Sequence, residues 1–198
     1  MNKWETLESK YLVNDRYLKL RQDKCRTPEG HIIEPFYVAE YNDWVNCLVI
    51  TSDMKVVMLK HYRHGIDNFV PEIIGGGVEE NETPSNAIER ELQEEIGYSG
   101  GSVFQTGISY SNPSSQTNKV YSFLAIGGSM EDETSLENGE TLTANTIGIS
   151  ELHDMINDPS QTMQSMHLTS IFFALRFIER SEDENLLEFK KALKNAGF

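Results

Sequence analysis

The stretch TPSNAIERELQEEIG, residues 83–97, constrains the fold more than any other part of the chain. Thr83 is a good helix cap, Pro84 suits a first turn and Gly97 suits a helix end, so the pattern predicts one helix over Pro84–Ile96. With Ile88 set at zero, Leu92 falls at about +40° and Ile96 at about +80°, which makes a core stripe. Glu95 at about −20° and Glu91 at about −60° flank that stripe, and Glu94 lies near −120°. Glu89, Arg90, Gln93 and Asn86 take the opposite, solvent-facing arc. Carboxylates at i and i+4 repel each other, and burying them is expensive unless a cation meets them. Two readings follow. The acids reach outward to water or cap a neighbouring loop, or a hard divalent cation with oxygen ligands sits against them.

Charge sharpens the question, because the whole chain carries a formal −14. Such a balance argues against nonspecific binding to nucleic acid or to an anionic membrane. A phosphate-bearing ligand would also be repelled, unless metal ions or local arginines reversed the field. The 198 residues, 38% of them hydrophobic, allow one large domain with a proper core, or one domain plus a small appendage. Cys25 and Cys47 give neither a disulfide framework nor a metal-type pair, so a reducing cytoplasm is the expected setting. No signal peptide is visible at the N-terminus, and no stretch reaches the roughly 20 apolar residues that span a bilayer.

Along the chain, YLKLRQDKCRT and HIIEPFYVAEY read as strands around a turn at PEG. WVNCLVI (44–50) and MKVVMLKHYR (54–63) follow, and NFVPEIIG reads as a short strand whose proline marks an edge or bulge. Beyond the helix, GSVFQTGISY and KVYSFLAIG flank a polar loop, and TLTANTIGI is a further strand. The tail SELHDMIND, MHLTSIFFALRFIER and ENLLEFKKALKN is helical. Strands and helices mix without βαβ alternation, so the expected class is α/β or α+β, a mixed sheet sandwiched between helices. His153 and His167 fall on the helical tail and read as structural. Trp44, Phe36 and Tyr37 read as core packing rather than as stacking platforms for a base.

Gly76, then Glu82 after five intervening residues, then Arg90-Glu91-Leu92-Gln93-Glu94-Glu95-Ile96-Gly97-Tyr98 stand at the spacing of the Nudix box. Chance would align seven such positions in roughly one chain per million. The sequence thus resembles the Nudix hydrolase family, and the resemblance covers residues 43–198. It implies a mixed β-sheet between helices and cleavage of a nucleoside diphosphate linked to another group, with magnesium or manganese. Carried over, Glu91, Glu94 and Glu95 form the metal-binding group, and Gly75 offers a backbone carbonyl to a metal. Gly76 allows the tight loop, Arg90 pairs with a glutamate to hold the box together, and Glu82 and Gly97 belong to the structure of the box.

Features outside the box resemble the family's ADP-ribose pyrophosphatases. Pro113 lies fifteen residues after Tyr98, where that subgroup places a proline. KHYRHG and PEIIGGG stand where it has QYR and ELPAG segments, with His61 replacing the glutamine and Ile73-Ile74-Gly75 replacing Leu-Pro-Ala. By this analogy Arg63 and Glu72 contact substrate or metal, and residues 1–42 form a strand-rich extension that builds a homodimer. The catalytic base is then a glutamate in the downstream acidic loop, Glu140 first and Glu137 second, or one of the box glutamates. Expected substrates are ADP-ribose or a related nucleoside diphosphate sugar, with GDP-mannose or dinucleotides as rivals. A noncatalytic ligand sensor on the same fold is the alternative.

Overall fold

The computed structural model of the chain describes residues 2–130 and 142–198. It divides into two compact units, one of residues 1–43 with 110–119 and one of residues 44–109 with 120–198.

The first unit is a three-stranded antiparallel sheet of β1 (Glu5–Asn14), β2 (Lys19–Arg26) and β3 (Ile32–Glu40), with β2 central. The turn between β2 and β3 closes where the Gly30 amide donates to the Thr27 carbonyl at 2.9 Å, with Gly30 at φ +89°. That backbone region is open to glycine without steric cost. Asp23, 3% exposed, accepts from the Ser9 hydroxyl at 2.6 Å and from Arg21 at 3.0 Å. The first strand, β1, lies ahead of YLKLRQDKCRT, the first strand read from the sequence, which is β2. The side chains of β1 are almost all exposed, so it carries no inside–outside alternation from which a strand can be read.

The second unit is built on a mixed sheet in the order β10-β5-β4-β9-β8, formed by β4 (Trp44–Ile50), β5 (Lys55–Arg63), β8 (Ser102–Tyr110), β9 (Lys119–Ile126) and β10 (Leu142–Gly148). β4 lies parallel to β9, while β10 runs antiparallel to β5. Two short strands join the sheet off this path: β6 (Asn68–Glu72) pairs with β5, and β7 (Ile74–Gly77) pairs with β4. The segment read as one strand with a proline is therefore two strands with different partners, divided at Ile73.

Because side chains alternate across a strand, β4 has to serve two cores. Val45, Cys47 and Val49 pack with Ala87, Ile88, Leu92 and Ile96 of α1 (Pro84–Ile96). Leu48 and Ile50 face the other way, toward Leu152 of α2 (Ile149–Asn157), Ile171, Ala174 and Ile178 of α3 (Ser165–Arg180), and Leu193 of α4 (Leu187–Ala196). The sheet is thus sandwiched between α1 and the three tail helices. Ile88, Leu92 and Ile96 are the predicted stripe, each no more than 2% exposed. No helix among the described residues is long and apolar enough to cross a membrane.

Both ends of α1 sit where the sequence sets them. The Thr83 hydroxyl accepts from the Asn86 amide at 3.2 Å, and Pro84 occupies the first turn. Gly97 closes the helix in the left-handed region at φ +56°, its amide donating to the Gln93 carbonyl at 3.0 Å. Replacing a capping hydroxyl leaves an N-terminal amide unmet. Thr83→Ala is therefore expected to lower the unfolding free energy by about 1 kcal/mol in urea melts, while Thr83→Ser leaves it near the wild-type value.

Candidate active site

The residues that carry the box pattern meet where β7 lies against α1. β7 pairs with β4 in the register Trp44↔Gly77, Val45↔Gly76, Asn46↔Gly75 and Cys47↔Ile74. Its even-numbered residues turn to the α1 face, so Gly76 lies under Glu91. A methyl group on Gly76 would stand 1.8 Å from Glu91 Oε1, so an alanine there would push the Glu91 carboxylate from its place. Gly75 faces the opposite side, where a Cβ would meet Asn46 Oδ1 at 2.4 Å and the Val45 carbonyl at 2.5 Å. Both are contacts that no alanine tolerates without the strands parting. The Gly75 amide donates to Glu95 Oε2 at 3.2 Å.

Arg90 organises the carboxylates. Its guanidinium donates to Glu82 Oε1 and Oε2 at 3.0 and 3.1 Å, to the Gly77 carbonyl at 3.0 Å, to Glu91 Oε1 at 2.8 Å and to Glu94 Oε2 at 3.1 Å. Helical position alone puts Arg90 on the solvent arc, yet its side chain is only 25% exposed. The long stem carries the charged head back along the helix surface to the loop, which a wheel drawn at Cα does not register. Glu82 in turn accepts from the Glu79 amide at 2.9 Å, closing the loop that precedes α1. The Arg90 hydrogen bonds hold the Glu82 carboxyl below the usual carboxylate range, and they raise Arg90 further above its already high value.

The acids grade in exposure as the helix geometry requires: Glu95 is 5% exposed, and the Glu91 and Glu94 side chains are 12% and 35% exposed. Three carboxylates share one guanidinium, which leaves two negative charges beyond what Arg90 balances. The donor set is all oxygen, the chemistry of a hard divalent cation. Among the described residues no three His, Cys, Asp or Glu side chains already converge on one point. Glu91 and Glu94 are folded onto Arg90 instead, so a cation here has Glu91, Glu94, Glu95 and the Gly75 carbonyl to draw on once those two side chains rotate.

Arg63 and Glu72 are brought together at the end of the β5–β6 hairpin. Arg63 Nε and Nη2 donate to Glu72 Oε1 and Oε2 at 2.7 and 2.6 Å, a bidentate pair on a carboxylate only 1% exposed. His61 Nδ1 lies 3.6 Å from the same carboxylate. Pro113 lies exposed in a turn of the first unit. Glu137 and Glu140 lie outside the described residues.

Among the groups that hold the loop from behind, sequence reasoning read His167 as structural without its partner and did not single out Asn46, Ser122 or Ser170. Where the chain leaves β5 for β4, the Ile73 amide donates to His167 Nδ1 at 3.1 Å, across from α3. His167 is 1% exposed, and burial pushes its imidazole down from the ordinary 6.5 to about 4. An acceptor at Nδ1 requires the neutral ring. Asn46, Ser122 and Ser170 are fully buried and hydrogen-bonded behind Gly75. The one signal for Asn46 was a polar residue in the middle of the apolar run WVNCLVI, a position that needs partners.

Residues 41–166 match the Nudix domain and residues 4–39 match the nucleoside diphosphate sugar hydrolase N-terminal domain. The chain belongs to the Nudix family. It is 25% identical over 121 residues to the ADP-ribose pyrophosphatase of Bacillus subtilis (strain 168), a match covering 61% of this chain and 65% of that one. It is 30% identical over 94 residues to the methanol dehydrogenase activator of Bacillus methanolicus, covering 48% of this chain and 50% of that one. The matches thus span half of one curated relative and just under two thirds of the other. The fold superposes on the crystal structure of an ADP compounds hydrolase with a TM-score of 0.77 at 15% identity, covering 90% of this chain and 96% of that one.

A histidine whose folded value lies below its unfolded value stabilises the fold above the unfolded value and ceases to as pH falls through the folded one. For His167 that window runs from 6.5 down to about 4. Between pH 7.5 and pH 4.5 the wild type should therefore lose about 2–3 kcal/mol more stability than His167→Gln, measured by chemical denaturation at both pH values.

Proposed function

We propose that the chain is a divalent-cation-dependent hydrolase of ADP-ribose or a closely related nucleoside diphosphate sugar. Water adds across the diphosphate: one phosphorus gains the hydroxyl, the other leaves on the bridging oxygen, and the products are a nucleoside monophosphate and a sugar phosphate. The observation that carries this reading is the cluster of Glu82, Glu91 and Glu94 on Arg90, with Glu95 on the Gly75 amide. The relatives' names and the N-terminal domain match favour the substrate class.

In this reading Glu91, Glu94 and Glu95, with the Gly75 carbonyl, hold Mg2+ or Mn2+. The ion supplies charge neutralisation for the diphosphate and a more acidic water. Arg90 stays with Glu82 and the Gly77 carbonyl, keeping the loop shut when Glu91 and Glu94 turn toward the ion. Arg63, held by Glu72, meets a phosphate of the substrate. Glu140 takes the proton of the attacking water, with Glu137 or a box glutamate as the alternatives. The enzyme works in the cytoplasm as a homodimer built through residues 1–42.

Bulk acidity gives the cation a second role, since a chain of formal charge −14 repels a free diphosphate at long range. Activity should therefore require Mg2+ or Mn2+ outright. A panel of ADP-ribose, GDP-mannose, UDP-glucose, NADH and a diadenosine polyphosphate, assayed with and without Mg2+, tests the reading. Metal-dependent release of AMP from ADP-ribose above the others is expected, and strong preference for another compound would discard the substrate while keeping the chemistry. Glu91→Gln should lower turnover at least a hundredfold with the fold retained, and Glu140→Gln by roughly a hundredfold, the usual contribution of a general base. One relative is named for activating another enzyme, which favours a second reading as a noncatalytic partner protein. Unaltered behaviour of Glu91→Gln, with silence across the panel, would select that reading.

A further inference from the structure

Gly75 stands at the centre of the candidate site, and its surroundings are fixed from behind by one side chain. Asn46, directly opposite Gly75 in the β4–β7 register, is fully buried on the α3 face of the sheet. Its Oδ1 accepts from the Trp44 indole at 2.9 Å. Its Nδ2 donates to the Met166 carbonyl and to Ser170 Oγ, each at 3.3 Å. Ser170 Oγ in turn donates to the Met166 carbonyl at 2.9 Å and shares a hydrogen bond of 2.8 Å with Ser122 Oγ on β9. The amide plane of Asn46 is thus pinned on β4 and α3, with β9 reached through Ser170. Its Oδ1 occupies the space into which a Cβ on Gly75 would project. From the other face of the same peptide the Gly75 amide reaches Glu95 Oε2 at 3.2 Å.

Buried polar networks are costly unless every member is satisfied. An all-apolar core at these positions would hold the fold as well, and Leu48 and Ile50 on the same face of the same strand do so. A set of five connected polar groups directly behind Gly75 is a device for fixing one backbone position. We propose that Asn46 is a positioning residue. Wedged against Gly75 and locked by Trp44, Ser170 and Ser122, it sets the peptide whose amide orients the buried Glu95 carboxylate, and so tunes the affinity of the site for a divalent cation. The proposal rests on the reading of Glu95 as a cation ligand. A Cβ at position 75 would collide with the Asn46 side chain and with the Val45 carbonyl alike.

Asn46→Ala and Ser170→Ala test it, with Mn2+ as the probe. Three quantities are measured on each full-length variant: the Mn2+ dissociation constant by electron paramagnetic resonance, the 15N–1H cross-peak of the Gly75 amide without metal, and the thermal midpoint. Asn46→Ala should weaken Mn2+ binding by about tenfold, the usual effect of losing a group that orients a ligand. It should also displace the Gly75 cross-peak in the direction seen for Glu95→Gln. Ser170→Ala, which leaves Met166 as a partner of Asn46, should do both to a smaller degree and decides the matter if Asn46→Ala does not fold. A lowered thermal midpoint with unchanged Mn2+ affinity and an unmoved Gly75 cross-peak would show a merely structural network and overturn the proposal. A wild-type chain that binds Mn2+ but cleaves no nucleotide would sink the proposed substrate and leave this test standing.

Discussion

Everything at the candidate site depends on one guanidinium. Arg90 gathers Glu82, Glu91, Glu94 and the Gly77 carbonyl within 3.1 Å, and so ties the start of the loop, its end and the middle of α1 to one point. Without it, three carboxylates on a chain already far from neutral would repel each other at close range in a partly desolvated place. With it, they are held together but not neutralised. An excess of negative charge kept in place by a partly buried, always-protonated side chain is what the proposed cation would meet. Lysine would not replace it, because a single ammonium cannot face four acceptors in a plane.

The rest of the second unit keeps that arrangement rigid. β4 is buried on both faces, so its position is fixed by α1 on one side and by α2, α3 and α4 on the other. β7 inherits this rigidity through four paired residues. At Ile73 the chain passes from one partner strand to another, which strands a backbone amide in the core, and His167 meets it. Asn46 with its serines secures the next position. Two buried polar side chains, one on β4 and one on α3, therefore stand behind the loop that presents the glycines to α1.

The site was legible in the sequence to the extent that its signals are local. Thr83, Pro84 and Gly97 bound a helix within one stretch of chain, and the angular placement of Glu91 and Glu95 beside Ile88 and Leu92 follows from helix geometry alone. The spacing of Gly76, Glu82 and Arg90 adds the loop. What stayed hidden is long-range or carried by side-chain reach. His167 lies 94 residues from the amide that it satisfies, and Ser170 lies 124 residues from Asn46. No periodicity in either segment announces such a pairing. Arg90 was placed on the solvent arc because a wheel positions Cα atoms and not the far end of a long stem. The division of NFVPEIIG into β6 and β7 was also out of reach, since a change of strand partner leaves no mark on the residues of the strand itself beyond the proline.

The claim on which the account turns is that these carboxylates are held ready for a divalent cation. Titrating Mn2+ into the protein while following water proton relaxation tests it directly, with Glu91→Gln and Glu95→Gln beside the wild type. The account predicts saturable binding by the wild type and its loss in both variants, whose metal-free thermal midpoints should be no lower than the wild type's because each removes a like charge from the cluster. Equal Mn2+ binding by all three proteins would contradict it and place the cation elsewhere.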